Sequence, residues 1–208
     1  MKQDEVILIG AGGHALSLSE FAGKQITGYM SPEKKENMPG VWFGPDHKAM
    51  EWIKSGWNFH MAYVYSGLPI MKSRRNLINE YEQKGAIFKT LQAPSAIVTP
   101  SSEIGAGCAL MTGCIINRAK LSSHVIVNSG AIVEHDCMVG KNTFIGPGAV
   151  IGGFTQIGEN CFIGLGARIG NGITIGDNIT VAMGATVNKD LTEPGIYHGF
   201  PLKRFKID

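Results

Sequence analysis

No stretch of about eighteen consecutive apolar residues occurs in this chain, so the sequence offers no transmembrane helix. The opening residues, Met1-Lys-Gln-Asp-Glu5, lead directly into a strand, without the apolar stretch and cleavage site of a secretory signal. Charge is scarce and balanced: 17% of the residues are Asp, Glu, Lys or Arg, and the formal net charge is +2. Up to residue 92 there are 11 basic and 9 acidic residues, and 8 of each follow. Neither half is therefore expected to bind nucleic acid or a membrane. Cysteine is limited to Cys108, Cys114, Cys137 and Cys161, which form no CxxC pair. What is present is a chain of 208 residues, 44% hydrophobic, which can bury a core as one large domain or two modest ones.

The second half repeats every six residues. From Leu121 the steps fall on Val127, Val133, Val139, Ile145, Ile151, Ile157, Ile163, Ile169, Ile175, Val181 and Val187, all aliphatic. The next residue is Gly at 140, 146, 152, 158, 164, 170 and 176. Four residues after each aliphatic position stand mostly small or β-branched side chains, and every cysteine occupies such a slot. Neither a helical period nor simple alternation produces this pattern, whereas a parallel β-helix does. The cysteines are accordingly read as buried reduced thiols, which points to the cytoplasm. Val98, Ile104, Leu110 and Ile116 extend the repeat backward, but Ile104 to Leu121 spans 17 residues. One residue has been lost near residues 118–120, which predicts a tighter corner there.

Residues 1–92 follow a different grammar. Val6-Ile-Leu-Ile9 reads as a buried strand, followed by Gly10-Ala-Gly-Gly-His-Ala15 and a helix to about Gly23. Residues 26–30 and 61–65 read as further strands, 49–55 and 72–85 as helices, 32–45 as a loop, and 88–91 as a last strand. Alternating strands and helices imply a small parallel α/β sheet. The predicted division is a Rossmann-like α/β domain at 1–92 and a β-helix at 93–208, ending in an irregular tail after Val187.

Three hexads make one triangular coil, so residues 18 apart stack at about 4.8 Å. Glu134-His135-Asp136 places three ionisable side chains on one corner, where other corners carry mostly Gly, Asn, Lys or Pro. An imidazole beside carboxylates, with its tautomer fixed, suits a general base. One coil later stands Gly153, whose N–H could face a developing oxyanion. Gly10-x-Gly12-x-x-Ala15 formally fits a dinucleotide fingerprint, but no acidic residue ends the second strand at Tyr29-Met-Ser-Pro32, so the ribose contact of NAD is missing. His47, His60 and His198 read as surface or packing residues, and Lys72-Ser-Arg-Arg75 as the polar face of a helix. The β-helix holds only His124 and His135, in spacing unsuited to a three-histidine zinc site, so no metal is expected.

The block from Ile126 to Gly140, the segment Ile7-Leu-Ile-Gly-Ala-Gly-Gly-His-Ala15 and the tail Gly199-Phe-Pro-Leu-Lys203 together resemble the bacterial sugar acetyltransferases of the sialic acid O-acetyltransferase type, which include nucleotide-amino-sugar N-acetyltransferases. The resemblance covers essentially the whole chain. It implies a left-handed β-helix and a homotrimer with active sites between neighbouring helices. It also implies His135 as general base, Asp136 as its supporting carboxylate, and Asn128 and Glu134 in the acceptor pocket. Gly12, Gly13 and His14 would hold the nucleotide or sugar end of the acceptor. Acetyl-CoA would lie toward the C-terminal coils, near Leu165, Met183, Lys203 and Arg204, with Phe144 where some members place a second histidine. The expected reaction is acetyl transfer from acetyl-CoA to the amine of a nucleotide-linked amino-deoxysugar. Sugar O-acetylation, or a non-catalytic nucleotide-sugar-binding scaffold, are the alternatives.

Overall fold

The computed structural model describes residues 4–64, 68–199 and 203–205, the side chains of 68–70 and 205 aside. Strand β1 (Val6–Ile9) is four apolar residues with both faces buried, as a central parallel strand requires. Around it run α1 (Gly13–Ala22), β2 (Ile26–Met30), β3 (Val41–Trp42), α2 (Ala49–Lys54), β4 (Asn58–Met61), α3 (Leu68–Gln83) and β5 (Ile87–Phe88). The sheet order is β3-β2-β1-β4-β5, all parallel. Val6 and Leu8 face α1 and the β-helix, while Ile7 and Ile9 face the layer holding Ile78 and Tyr81 of α3.

Several boundaries differ from the sequence reading. The third predicted strand lies earlier, at Asn58–Met61, and Tyr65 falls outside the described residues. The expected loop at 32–45 contains β3, an exposed two-residue edge strand too short to show a period. The strand expected at 88–91 is two pieces: β5 closes the α/β sheet, whereas Leu91–Gln92 already pairs with Ala109–Leu110 in the β-helix. Gln92 thus occupies the inward frame one step before Val98, and its polar side chain hid it from the aliphatic count.

The remainder is a left-handed parallel β-helix with three faces. Residues pair with those 18 further on, as Ile132 does with Val150. The shortened coil departs from this, Lys120 pairing with Glu103 and Leu121 with Ile104, and so does the tail, where Ile179 pairs with Gly195. The repeat aliphatics form one buried column. At most corners the backbone turns through positive φ three residues after the column aliphatic, at His124, Asp136, Asn142, Phe154, Asn160 and Asn178 besides glycines, and in the shortened coil two residues after Ile116, at Arg118. In the small slots, Thr143 and Thr155 hydroxyls and the Cys137 and Cys161 thiols all donate to a carbonyl 15 residues on, at 2.8–3.1 Å. That shared bond explains why Thr and Cys interchange there. Beyond Val187 the tail is more regular than expected. Gly195–His198 continues a face beside Ile179–Val181 and pairs antiparallel with Lys203–Phe205.

The three faces have different fates. Ala109, Ile126, Phe144 and Phe162 point outward from one and are buried against the α/β layer with Ala15 and Leu18. Arg74 is also part of this seam, not of a polar helix face: it is 1% exposed and donates to Asn142 Oδ1, to the His124 carbonyl at 3.2 Å and to the Met61 carbonyl at 3.5 Å. Asn142 in turn donates to the Met71 carbonyl and to Asn160. A buried guanidinium needs such acceptors to offset its lost hydration.

Candidate functional site

The corner at 134–137 is shaped by Asp136, whose φ of 60° is a left-handed conformation that Asp tolerates better than most residues. That turn swings its carboxylate back to His135, with Nδ1 and Oδ2 2.9 Å apart. The second oxygen accepts from Arg118 Nη2 at 3.0 Å, from one coil earlier. The His135 hydrogen bond, with Arg118 beside it, holds the Asp136 carboxyl below the usual carboxylate range. An ionised Asp136 fixes the proton of the imidazole on Nδ1 and leaves the lone pair of Nε2 outward. Glu134 does not flank the ring as its sequence position suggested; it accepts from Asn117 Nδ2 at 3.1 Å instead.

Gly153 lies against this imidazole. A side chain there would collide, since an added Cβ would stand 2.9 Å from Cε1 and Nε2 of His135. The neighbouring Phe154 meets the ring edge-on, with centroids 5.0 Å apart at 88°. Phe154 is 60% exposed and has φ 62°, an uncommon conformation for a bulky residue and one that tends to persist at functional sites. Sequence reasoning missed it; the available signal was an aromatic in a corner slot otherwise held by Gly, Asn or a polar residue.

A second constellation sits at the preceding corner. Between α1 and the β-helix lies a cavity of about 360 Å³, lined by His14, Ser17, Asn128, Phe144, Phe162 and Leu165 among others. Phe144 and Phe162 stack with centroids 4.8 Å apart. His14 Nε2 is buried there without a hydrogen-bond partner among the described residues. Burial, and then the charge of Arg74, lower the His14 pKa to about 4, so its ring is neutral near pH 7. Residues expected for the acceptor (His14, Asn128) and for the coenzyme (Phe144, Leu165) therefore share one cavity. Within one chain, Asn128 and His135 stand on successive corners, and His135 does not line this cavity. Met183, 75% exposed, follows Leu165 one coil on, and Lys203 lies exposed on the last strand. Arg204 is tied to the tail, donating to the Pro194 carbonyl at 2.9 Å.

The glycine loop separates into two roles. Gly10 has φ 111°, and a Cβ there would press on the Tyr63 backbone at 2.9 Å, so the fold itself requires it. Gly12 and Gly13 face open space, with nothing within 4 Å of an added Cβ, and no side chain caps the α1 N-terminus. The four cysteines are buried and unpaired, and burial pushes the Cys108 and Cys114 thiols up to about 11 and Cys161 to about 12. None offers a thiolate nucleophile at neutral pH. Among the described residues, no three His, Cys, Asp or Glu side chains gather as metal ligands, and no helix is long and apolar enough to cross a membrane.

Residues 118–153 match the family described as "Bacterial transferase hexapeptide (six repeats)", and residues 155–189 that described as "Hexapeptide repeat of succinyl-transferase". Among solved structures, a single-histidine variant of GDP-perosamine N-acetyl transferase from Caulobacter crescentus, in complex with CoA and GDP-perosamine, is 30% identical. The alignment covers 98% of this chain and 97% of that one, with a TM-score of 0.88. The acetyltransferase domain of PglB from Neisseria gonorrhoeae FA1090 is 28% identical over 97% of this chain and 100% of that one, with a TM-score of 0.86. The same domain has been solved with acetyl coenzyme A, at 27% identity over 97% of this chain and 99% of that one, with a TM-score of 0.84.

Proposed function

We infer the reaction from kinship: this chain belongs to the bacterial hexapeptide-repeat sugar acetyltransferases, and it N-acetylates the amine of a nucleotide-linked amino sugar with acetyl-CoA as donor. The observation that carries the mechanism is the His135–Asp136 pair resting on Gly153. Attack of the amine on the thioester carbonyl leaves a proton on nitrogen, and His135 Nε2 is the group positioned to take it. Asp136 holds the ring by Nδ1. The N–H of Gly153 stabilises the oxygen on which charge develops, and the coenzyme departs as the thiol.

The acceptor is held by the α/β domain, residues 1–92. Its diphosphate meets the uncapped N-terminus of α1 at Gly12 and Gly13, whose missing side chains let a ligand approach the backbone. The sugar reaches toward His14, Asn128 and Glu134. The coenzyme runs along residues 93–208, past Phe144, Leu165 and Met183 toward Lys203. A homotrimer supplies what one chain lacks, because the cavity at Asn128 and the base at His135 lie on different corners. The six-stranded face supports this reading: its outer row runs Ile97, Ile115, Ile132 and Val150 before turning polar at Arg168 and Thr186, with Ile97 58% and Val150 37% exposed. The outer row of the five-stranded face is mostly polar, with Glu103, Lys120, Gln156 and Thr174 around one exposed Met138. An apolar row of that kind is suited to burial between copies, and His135 borders it. The enzyme acts in the cytoplasm, consistent with four reduced, buried thiols.

A thiol-release assay with acetyl-CoA against a panel of UDP-, GDP- and dTDP-aminosugars tests the reading. Turnover with one aminosugar and a mass gain of one acetyl group on its amine is expected. Turnover only with hydroxyl acceptors, such as sialic acid, would replace it. Sedimentation of the protein should give a species of three chains.

A further inference from the structure

Another cavity, of about 300 Å³, opens at the C-terminal ends of β1 and β2, lined among others by Gly10, Met30, Ser31, Asp46, Tyr63 and Leu77. The sequence places no acid at the end of β2, yet the fold brings one there from elsewhere. The Ser31 N–H donates to the Gly44 carbonyl at 3.1 Å, which draws the segment after β3 against the end of β2 and delivers Asp46 into the crevice. Tyr81 donates its hydroxyl to Asp46 Oδ1 at 2.9 Å, and that phenol is itself kept protonated by burial and by Asp46. Asp46 Oδ2 accepts no hydrogen bond among the described residues, and no cation pairs with the carboxylate there. A fixed, unpaired carboxylate facing a cavity is an acceptor awaiting donors.

We propose that Asp46 reads the ribose of the acceptor's nucleotide, accepting hydrogen bonds from its 2′- and 3′-hydroxyls, so that the enzyme selects ribonucleotide over 2′-deoxyribonucleotide sugars. This rests on the nucleotide-sugar reading given above. A carboxylate repels phosphate, so the diphosphate belongs at the α1 N-terminus and a neutral donor-bearing group at Asp46. The ribose is the unit directly attached to the diphosphate, and Gly10 joins the two places along the chain. The crevice at the carboxyl ends of parallel strands is where open α/β sheets hold such ligands, with an acid on the ribose. Here that acid arrives from the loop after β3. With Oδ1 already held by Tyr81, the remaining oxygen suits two neighbouring hydroxyls better than the paired N–H groups of a guanine edge, which require both oxygens.

Calorimetric titration of the full chain with GDP, 2′-deoxy-GDP, UDP and 2′-deoxy-UDP tests this, with CoA as the control ligand. In whichever base pair binds, loss of the 2′-hydroxyl should weaken the wild-type Kd by roughly tenfold or more, the scale of a hydrogen bond to a charged group. Asp46→Asn should weaken the ribonucleotide and shrink that discrimination, with CoA affinity unchanged. Tyr81→Phe, which leaves the carboxylate in place, should retain the discrimination. Equal wild-type affinity for the ribo and deoxy forms overturns the role of Asp46 while leaving the nucleotide reading intact, even if Asp46→Asn fails to fold. Binding of CoA with no binding of any nucleotide overturns the nucleotide reading and this one with it.

Discussion

The imidazole of His135 rests on the α-carbon of Gly153, one coil further along the helix, with only the thickness of a missing methyl group between them. Gly153 lies outside the left-handed region, so its identity is set by the ring above it and not by its own backbone. Gly153→Ala should therefore fold normally yet push the imidazole off its place. We expect a fall in kcat of at least about tenfold, since small misplacements at a reacting centre are costly, with a circular dichroism melt close to wild type. Unchanged kcat would mean that the ring position does not matter to the reaction.

His135→Ala should leave a folded protein with turnover lowered by roughly 10²–10⁴-fold, the share of a positioned base. Asp136 is held below the ordinary carboxylate range and so stays ionised from about pH 5 to 8. Asp136→Asn removes the carboxylate that holds the imidazole by Nδ1, and it should lose less rate than His135→Ala. Steady-state kcat of the two variants decides this, and a loss in Asp136→Asn as large as in His135→Ala would contradict it.

Gly12→Val introduces a side chain into open space, at a φ of −98° that valine adopts without strain. Folding should be unaffected. The apparent KM for the acceptor should rise several-fold while acetyl-CoA affinity stays put. The reverse result would make the loop a coenzyme site, and no change in either would reduce it to a turn.

Ile163 is fully buried and Ile169 nearly so, both in the apolar column. Changing either to Asp buries an unpaired charge and should cost several kcal/mol. Thermal or urea melts at pH 7.5 measure it, and an unchanged midpoint would mean that the hexad frame is misplaced.

Burial lowers the pKa of His60 to about 3 and of His124 to about 4. In the unfolded chain both titrate near the ordinary value of about 6.5. Between those limits the unfolded state binds more protons, so stability is complete above about pH 6.5 and declines as pH falls toward 4. His60 alone accounts for about 2 kcal/mol at pH 5. Tm should fall steadily from pH 7.5 to pH 5, and a flat profile would show that these rings become protonated without unfolding.

The sequence by itself determined the β-helix and its frame, because one buried column demands an aliphatic residue at every sixth place and tolerates few exceptions. Leu121 to Val187 could be assigned face by face, and even the lost residue near Arg118 was visible as a break in phase. The corner Glu134-His135-Asp136 was legible for the same reason, since ionisable residues stand out where the repeat asks for small ones. Tertiary structure alone decided the rest, wherever a residue's partner comes from an unrelated stretch of chain. Only packing shows that Glu134 turns to Asn117 and leaves His135 to Asp136, or that Phe154 closes on the imidazole. Arg74 reads as a surface residue until α3 is laid on the β-helix and Asn142 and His124 enclose it. Asp46 stands 15 residues past Ser31 in sequence, and only the pairing of β3 with β2 brings it to the end of that strand. A periodic pattern records what each residue does against its own coil; side-chain partnerships across 50 residues leave no period to read.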